Sequence, residues 1–316
     1  MNEHRNENNG HIQDLLLVLS GILFVGMALI TSTDGVAEAG LPDKPEILGT
    51  DACRTSAVAA TDYSGPHIQA SASLTIYLPI VFSADVCAPI PDESYSSISV
   101  LPPVTDRPAA EHADLNLALR SYIATSAYLG LVDLSGDTDS NAPQLAGLFE
   151  DNRTGIFRTV HRVYDWNWGT NSRGAPLSDP PVTLAGLGTS AGEIIRVPSS
   201  GYNIGSELFV PERGVMVGAG GFEVLVLYAT AERITLKYTR EDNVISGYTL
   251  HIEGICVEPN LLALYQYWNE HKRSNLPALR SGQGIGRAKT TEIGVAIRDC
   301  GTFMEPRSRK DWWQGR

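Results

Sequence analysis

The sequence predicts a mainly β protein in which an antiparallel, barrel-like sheet carries one inserted helix. Near the C-terminus residues alternate strictly, so that Ile293, Val295 and Ile297 face one side of a predicted strand. Residues 233–257 predict a β-hairpin, because two β-rich runs flank a polar turn. The helix is predicted from Pro259, which suits the first helical position, and from the apolar i, i+3, i+4, i+7 spacing that follows it.

Residues 1–39 predict a targeting signal. Their apolar run at 15–30 is shorter than the ~20 residues of a typical spanning helix. The small-x-small pattern Ala37-Glu38-Ala39 predicts cleavage before Gly40, whereas a poorly basic head and Asp14 beside the run favour a retained signal-anchor. Both alternatives predict an extracytoplasmic chain, secreted or membrane-anchored, that touches a membrane only through this segment if it is uncleaved.

Residues 40–110 predict an extended arm, because Pro, Ser and Ala are frequent in them. A strand-like run at 74–82 contains Pro79, which confines it to an edge or an isolated extended piece. The globular β-rich domain is predicted over 111–316, and it begins with a weak helical pattern at 114–122. Its predicted strands before the helix are 156–168, 193–197, 214–217, 222–230, 233–239 and 247–257.

The charge balance excludes two classes of partner. The 316 residues carry a formal net charge of −12 at pH 7. A chain this acidic is repelled by nucleic acid and by anionic membrane surfaces, so neither is expected to bind it.

Four cysteines are present, at positions 53, 87, 256 and 300. In an oxidising compartment an even number of cysteines predicts disulfides. Proximity in the sequence favours the pairs Cys53–Cys87 and Cys256–Cys300, and four buried free thiols are the alternative. The spacings between these cysteines are unlike those of a zinc site.

The C-terminal stretch SGQGIGRA, followed by EIGVAIRDCGTFMEP, resembles the last hairpin of the lysostaphin-type zinc endopeptidases. Enzymes of this family cut peptide cross-links in bacterial cell walls, and the resemblance covers about 156–306. Glycines 282, 284 and 286 of the hairpin are expected where a turn needs positive φ or close backbone approach. The family carries His-x-His in the following strand, and those two positions are Glu292 and Gly294 here.

The resemblance also implies a zinc ligand pair, because the family uses His-x-x-x-Asp and this chain has His161 and Asp165. A catalytic zinc needs three protein ligands and one open position. Glu292 or His251 could supply a third ligand, but neither lies in the family's pattern. The resemblance therefore implies a degenerate domain without catalytic residues, metal or cofactor.

Other side chains suggest binding rather than catalysis. Tyr164, Trp166 and Trp168 are spaced two apart on a predicted strand, so they predict either a sugar-stacking surface or part of the core. Charged residues of the 233–257 hairpin could serve acid/base chemistry or could simply be solvated; they are Lys237, Arg240, Glu241, Asp242, His251 and Glu253. Two tryptophans, at 312 and 313, are expected to pin the C-terminus to the domain.

These observations favour a non-catalytic extracytoplasmic module that binds cell wall, glycan or an extracellular protein. A zinc-dependent cell-envelope peptidase that uses His161 and Asp165 is the alternative hypothesis. A tethered spacer with a stable β-rich cap is the third. Whether the protein is an enzyme stays open at this point, with the non-enzymatic hypothesis preferred.

Overall fold

The computed structural model describes residues 85–101, 107–189 and 206–316. Within these ranges the helices are α1 (Pro259–Glu270) and α2 (Arg309–Trp312), with 3-10 turns at Ala109–Glu111, Leu117–Leu119 and Leu145–Leu148. The strands are β1 (Ser96–Ser99), β2 (Tyr122–Ala124), β3 (Ile156–Asn167), β4 (Ser172–Pro176), β5 (Leu184–Gly188), β6 (Glu207–Phe209), β7 (Val224–Thr230), β8 (Arg233–Lys237), β9 (Tyr248–Glu253), β10 (Ile255–Val257), β11 (Asn275–Leu279), β12 (Gly284–Ala288), β13 (Glu292–Asp299) and β14 (Thr302–Phe303).

The fold is mainly antiparallel β, as the alternation in the sequence predicts. The described residues form one 11-stranded sheet, in which β1, β11, β7, β8, β9, β13, β5, β3 and β2 are neighbours in that order, β14 pairs with β13 and β4 pairs with β3. A second sheet has the order β10, β12, β6. The large sheet is not closed into a barrel, so the predicted barrel-like arrangement is wrong. No helix in the described ranges is long and apolar enough to span a membrane.

Several predicted elements are confirmed with small shifts of their ends. They include the long strand β3, the β8–β9 hairpin, α1 and the alternating strand β13. The weak helical pattern at 114–122 instead forms a 3-10 turn and the start of β2, and 214–217 is irregular backbone. The strand predicted at 193–197 and the targeting segment at 1–39 lie outside the described residues.

The core follows from the alternation along β13. Ile293, Val295 and Ile297 are fully buried in the larger hydrophobic cluster. Ala296 faces the opposite side of the strand and belongs to a smaller cluster with Val163 and residues of neighbouring elements. Both faces of the sheet are therefore covered near the C-terminal end of β13, and the face bearing Glu292 is left more open.

Glycine at position 286 is required by close backbone approach, as expected from the sequence. Its φ is +152°, and a Cβ there would lie 2.2 Å from the Cys256 carbonyl oxygen across the β10–β12 pair. Gly282 has a φ of +69°, in the left-handed region that glycine tolerates best. The GQGIG turn is thus a local sequence feature whose structural role is confirmed.

Residues 85–101 are part of the domain, so the prediction of an extended arm through 110 is wrong for them. Strand β1 pairs with β11, with Ser97 opposite Pro277. Tyr95 donates its hydroxyl hydrogen to the Gly284 carbonyl over 2.8 Å, and Val100 is buried in the larger cluster. Local composition cannot show that these residues join the domain, because the strand that pairs with β1 is more than 170 residues away along the chain.

The cysteine pairing differs from the prediction. Cys87 is bonded to Cys256, with a Cα–Cα distance of 5.1 Å and a sequence separation of 169 residues. Both predicted pairs are therefore wrong, and Cys300 is an exposed free thiol. Proximity in sequence fails as a guide because the segment after Cys87 contacts β12: the Arg287 side chain donates to the Ala88 carbonyl and the Gly284 N–H donates to Glu93. Strand β12 pairs with β10, which carries Cys256. Cys53 lies outside the described residues.

The C-terminus is anchored by the two tryptophans, as predicted. Both Trp312 and Trp313 are buried. Their indole N–H groups donate to the carbonyl oxygens of Glu305 and Pro306 over 2.8 and 3.0 Å. Each buried ring thus has its polar atom satisfied, which is the usual arrangement for buried tryptophan.

Candidate functional site

Polar side chains line the face of the large sheet opposite to the apolar side of β13. The register places Glu253 of β9 between Gly294 of β13 and Arg233 of β8. Arg233 Nε donates to Glu253 Oε2 over 3.2 Å. A Cβ at position 294 would lie 2.8 Å from Glu253 Cγ, so the glycine makes room for the carboxylate side chain. The result is an ion pair whose two side chains both stay partly exposed, by 38% for Arg233 and 13% for Glu253.

Glu292 supplies a second carboxylate on this face. Its Oε1 accepts a hydrogen bond from Thr159 Oγ1 over 2.5 Å. A Cβ on Gly186, in the strand between them, would lie 2.0 Å from the same oxygen. The carboxylate therefore sits directly over the β5 backbone, and only a glycine permits this position.

His161 lies on the same face. Its ring packs edge-on against Tyr122, with 4.9 Å between centroids. Burial lowers the pKa of His161, and the negative charges of Glu292 and Glu253 oppose that change only in part. The imidazole is therefore neutral near pH 7. Its Nδ1 is shielded from solvent and has no hydrogen-bond partner within the described part of the chain.

Tyr122 connects the histidine to the ion pair. Burial and a hydrogen bond to Glu253 raise the pKa of Tyr122 to about 12. The phenol therefore stays protonated next to the Glu253 carboxylate. Since Tyr122 is 37% exposed, the edge strand β2 presents an aromatic surface beside two carboxylates.

Next to this group, a small cleft lies over the β8–β9 pair. Its lining residues are Leu117, Leu184, Tyr228, Arg233, Ile234, Thr235, His251, Ile252 and Glu253. The cavity volume is about 10 Å³. This is close to the space that one water molecule needs, so the cleft can take a hydroxyl-sized group and not a whole ligand or cofactor.

The predicted pair His161 and Asp165 is not brought together with a third ligand. Asp165 Oδ1 accepts from the Trp166 backbone N–H over 2.8 Å and lies 3.7 Å from Arg120 Nη1. In ranges 85–101, 107–189 and 206–316, no group of three or more His, Cys, Asp or Glu side chains is placed to hold a metal ion. His251 and Glu292 thus lie near the site without forming a metal cage.

The three predicted aromatic residues differ in exposure, although the rings of Trp166 and Trp168 pack edge to face with 6.5 Å between centroids. Trp166 is buried, Tyr164 is half-buried and Trp168 is 42% exposed. A register shift in the β3–β4 pair between Tyr164 and Trp166 breaks the alternation that predicts a single stripe. The guanidinium of Arg107 lies 5.1 Å from the Trp168 ring centroid, so one side of this exposed ring is already covered by a cation.

Sequence reasoning identifies His251 and Glu253 as members of a charged hairpin but misses the partners that make them a site. Arg233 and Thr235 are paired with these two residues across β8 and β9. The sequence does contain a signal for these partners, because alternation along the two strands of the hairpin puts all four side chains on one face of the sheet. Tyr122 carries no comparable signal, since its strand is only three residues long.

The fold and this face define a mainly antiparallel β protein with a partly exposed polar site of mixed charge. No family model, no curated protein and no solved structure matches the chain. Function is therefore inferred from the chemistry of the described residues.

Proposed function

We propose that the protein is an extracytoplasmic, non-catalytic module that binds glycan of the cell envelope through the polar face around Glu253. The observation that carries this proposal is the side-by-side placement of Arg233, Glu253 and Tyr122 with Glu292. Sugar hydroxyls both donate and accept hydrogen bonds, so they are matched by carboxylates next to a guanidinium. An exposed phenol ring beside them offers a flat apolar contact.

The Cys87–Cys256 disulfide supports the extracytoplasmic part of the proposal. Disulfides form and persist in oxidising compartments and are rare in the cytosol. The proposal also retains the resemblance to a lysostaphin-type domain whose His-x-His positions have become Glu292 and Gly294. Under this interpretation the domain has kept a wall-facing surface and lost the peptidase chemistry.

A zinc-dependent peptidase is the second candidate, and the geometry favours it less. A catalytic zinc needs three protein ligands. Asp165, one of its two proposed ligands, is engaged by Arg120 and by the backbone of its own strand. The distinguishing measurement is metal content: stoichiometric zinc together with chelator-sensitive wall lysis, lost in His161→Ala, would replace the binding proposal by the peptidase.

Sedimentation with purified cell walls tests the binding proposal. The full chain is expected to sediment with walls, and Tyr122→Ala is expected to weaken binding about tenfold, equivalent to roughly 1.4 kcal/mol. Tyr267→Ala is the matched control, because Tyr267 is an exposed tyrosine on α1, stacked on His271 and outside the site. Absence of wall binding by the native chain, or equal weakening by both variants, would contradict the proposal.

A further inference from the structure

The cleft over the β8–β9 pair contains a buried hydrogen-bond acceptor. Cross-strand pairing sets Thr235 beside His251 at the floor and Arg233 beside Glu253 at the mouth. His251 is only 4% exposed, and its Nε2 has no hydrogen-bond partner among the residues that the structure describes. A buried polar atom without a partner is destabilising and is uncommon in folded proteins. This atom is thus the feature of the cleft that needs explanation.

The hydrogen bonds of Thr235 determine which nitrogen of His251 carries the proton. Thr235 Oγ1 donates to the Leu115 carbonyl over 2.8 Å and lies 3.0 Å from His251 Nδ1. Because a hydroxyl has one hydrogen, which is given to Leu115, Nδ1 must be the donor in the second contact. Nε2 is therefore the unprotonated nitrogen, and it can only accept.

The charges around the His251 ring favour a neutral group as the hydrogen-bond donor to Nε2. Burial, and then the positive charge of Arg298, lower the pKa of His251 to about 3, with Arg120 and Lys237 acting in the same direction and Asp114 opposing them. The imidazole is thus held neutral. An ammonium group at Nε2 would face the same cations, whereas a hydroxyl would not be repelled.

We propose that the cleft binds one hydroxyl group of a neutral sugar, which donates its hydrogen to His251 Nε2. A neighbouring hydroxyl of the same ring accepts from Arg233 and donates to Glu253 at the mouth. Leu117 and Leu184 line the same cleft, beside the carbon atom that bears the inserted hydroxyl. The cleft is too small for a whole ring, so one hydroxyl group of the sugar is recognised here. This inference rests on the proposed glycan-binding function and assigns it a site.

A nitrogen NMR titration of the histidine side chains tests the proposal. The full chain, with ¹⁵N-labelled histidine, is titrated with methyl glucoside as the neutral probe, and with glucosamine and glucuronate as cationic and anionic probes. The expected result is a saturable upfield shift of the His251 Nε2 resonance with methyl glucoside alone. Glu253→Gln and Arg233→Met are each expected to weaken binding about tenfold, the loss of one hydrogen bond to a charged group. Tyr267→Ala is expected to bind as the native chain does.

Removing the acceptor gives a second, direct comparison. His251→Phe keeps an aromatic ring near Phe303, which lies 6.5 Å away by centroids, and removes both nitrogens. It is expected to abolish binding of methyl glucoside, measured by calorimetry because this variant lacks the His251 resonance, while the urea midpoint shows that it is folded. If His251→Phe does not fold, the binding of methyl glucoside by Glu253→Gln and Arg233→Met tests the proposal instead.

The outcomes separate this inference from the broader proposal. An Nε2 resonance that no probe moves shows that the cleft holds only water, and overturns the inference. Wall binding by the same protein would then leave the proposed function standing on other residues. A glucoside-dependent shift that persists in both mouth variants would also overturn the assigned geometry. A shift in a protein that does not sediment with walls would support the cleft while refuting wall binding.

Discussion

At the scale of single residues, Asp114 is the counterion of two buried guanidinium groups. Its Oδ1 accepts from Arg120 Nη2 and from Arg298 Nη1, each over 2.7 Å. The side chains of both arginines are 5% exposed. Asp114→Asn leaves the Arg298 charge buried without its carboxylate partner, and Arg120 keeps only Asp165 at 3.7 Å. We therefore expect a loss of about 3–5 kcal/mol in the free energy of unfolding. Urea denaturation measures this.

The matched control is Asp133→Asn. Asp133 pairs with Arg309 over 2.9 Å but is 80% exposed, so its loss is expected to change stability by less than about 1 kcal/mol. Equal urea midpoints for the two variants would show that the buried network contributes no more than a surface ion pair.

Burial of His251 makes the free energy of unfolding depend on pH below neutrality. Burial depresses the pKa of this imidazole to about 3, whereas the unfolded chain has a value of ~6.5. The unfolded state therefore binds more protons between these values, and stability that is fully present above pH ~6.5 is lost as pH falls toward 3. The loss is on the order of 4 kcal/mol.

Unfolding free energies at a series of pH values test this expectation. The slope between pH 6 and 4 should flatten in His251→Phe and persist in His271→Gln, because His271 is an exposed residue at the end of α1. Asp114 acts at lower pH: its pKa is lowered, since Arg298 and Arg120 outweigh the effect of burial, so its contribution is lost below ~4. An unchanged slope in His251→Phe would contradict the assignment of the higher window.

At the scale of elements, the Cys87–Cys256 bond fixes the N-terminal segment of the described domain to β10. It closes a loop of 169 residues, for which the chain-entropy model gives a stabilisation of roughly 5 kcal/mol. Cys87→Ser is expected to lower the urea midpoint by a corresponding amount without reducing agent. Cys300→Ser changes an exposed free thiol and is expected to stay within about 0.5 kcal/mol. Peptide mapping that found Cys87 bonded elsewhere would refute the pairing.

Elements whose signal is local could be predicted from the sequence, and those made by distant pairing could not. The alternation of β13, the β8–β9 hairpin and the spacing in α1 are contained in short windows, so each is found close to its predicted place. Strand β1 has four residues and a polar composition, and only its partner β11 makes it a strand. The same limit applies to part of the candidate site. Tyr122 lies beside Glu253 because it belongs to the edge strand β2, and no sequence pattern predicts a strand at that position.

At the scale of the whole molecule, the domain starts earlier than composition predicts. One compact unit spans Tyr77–Arg316, with described residues from 85 onward, whereas the sequence predicts a globular domain over 111–316. The described residues before 111 contribute the disulfide, all of β1 and the buried Ile90, Val100 and Ala109. Glu93 Oε1 also accepts from the Gly284 backbone N–H over 2.9 Å, at the start of β12.

Two shortened chains test where the domain begins. A chain of residues 77–316 is expected to unfold cooperatively with a urea midpoint near that of the full chain. A chain of residues 111–316 loses the β1 pairing and leaves β11 as an exposed edge, so it is expected to lose most of the ~5–15 kcal/mol typical of a folded domain and to aggregate. The full chain with Cys256→Ser is the control, because it removes the disulfide and keeps β1. If 111–316 unfolded at the same urea concentration as that control, β1 and the residues packed with it would be dispensable, and the domain would begin where composition places it.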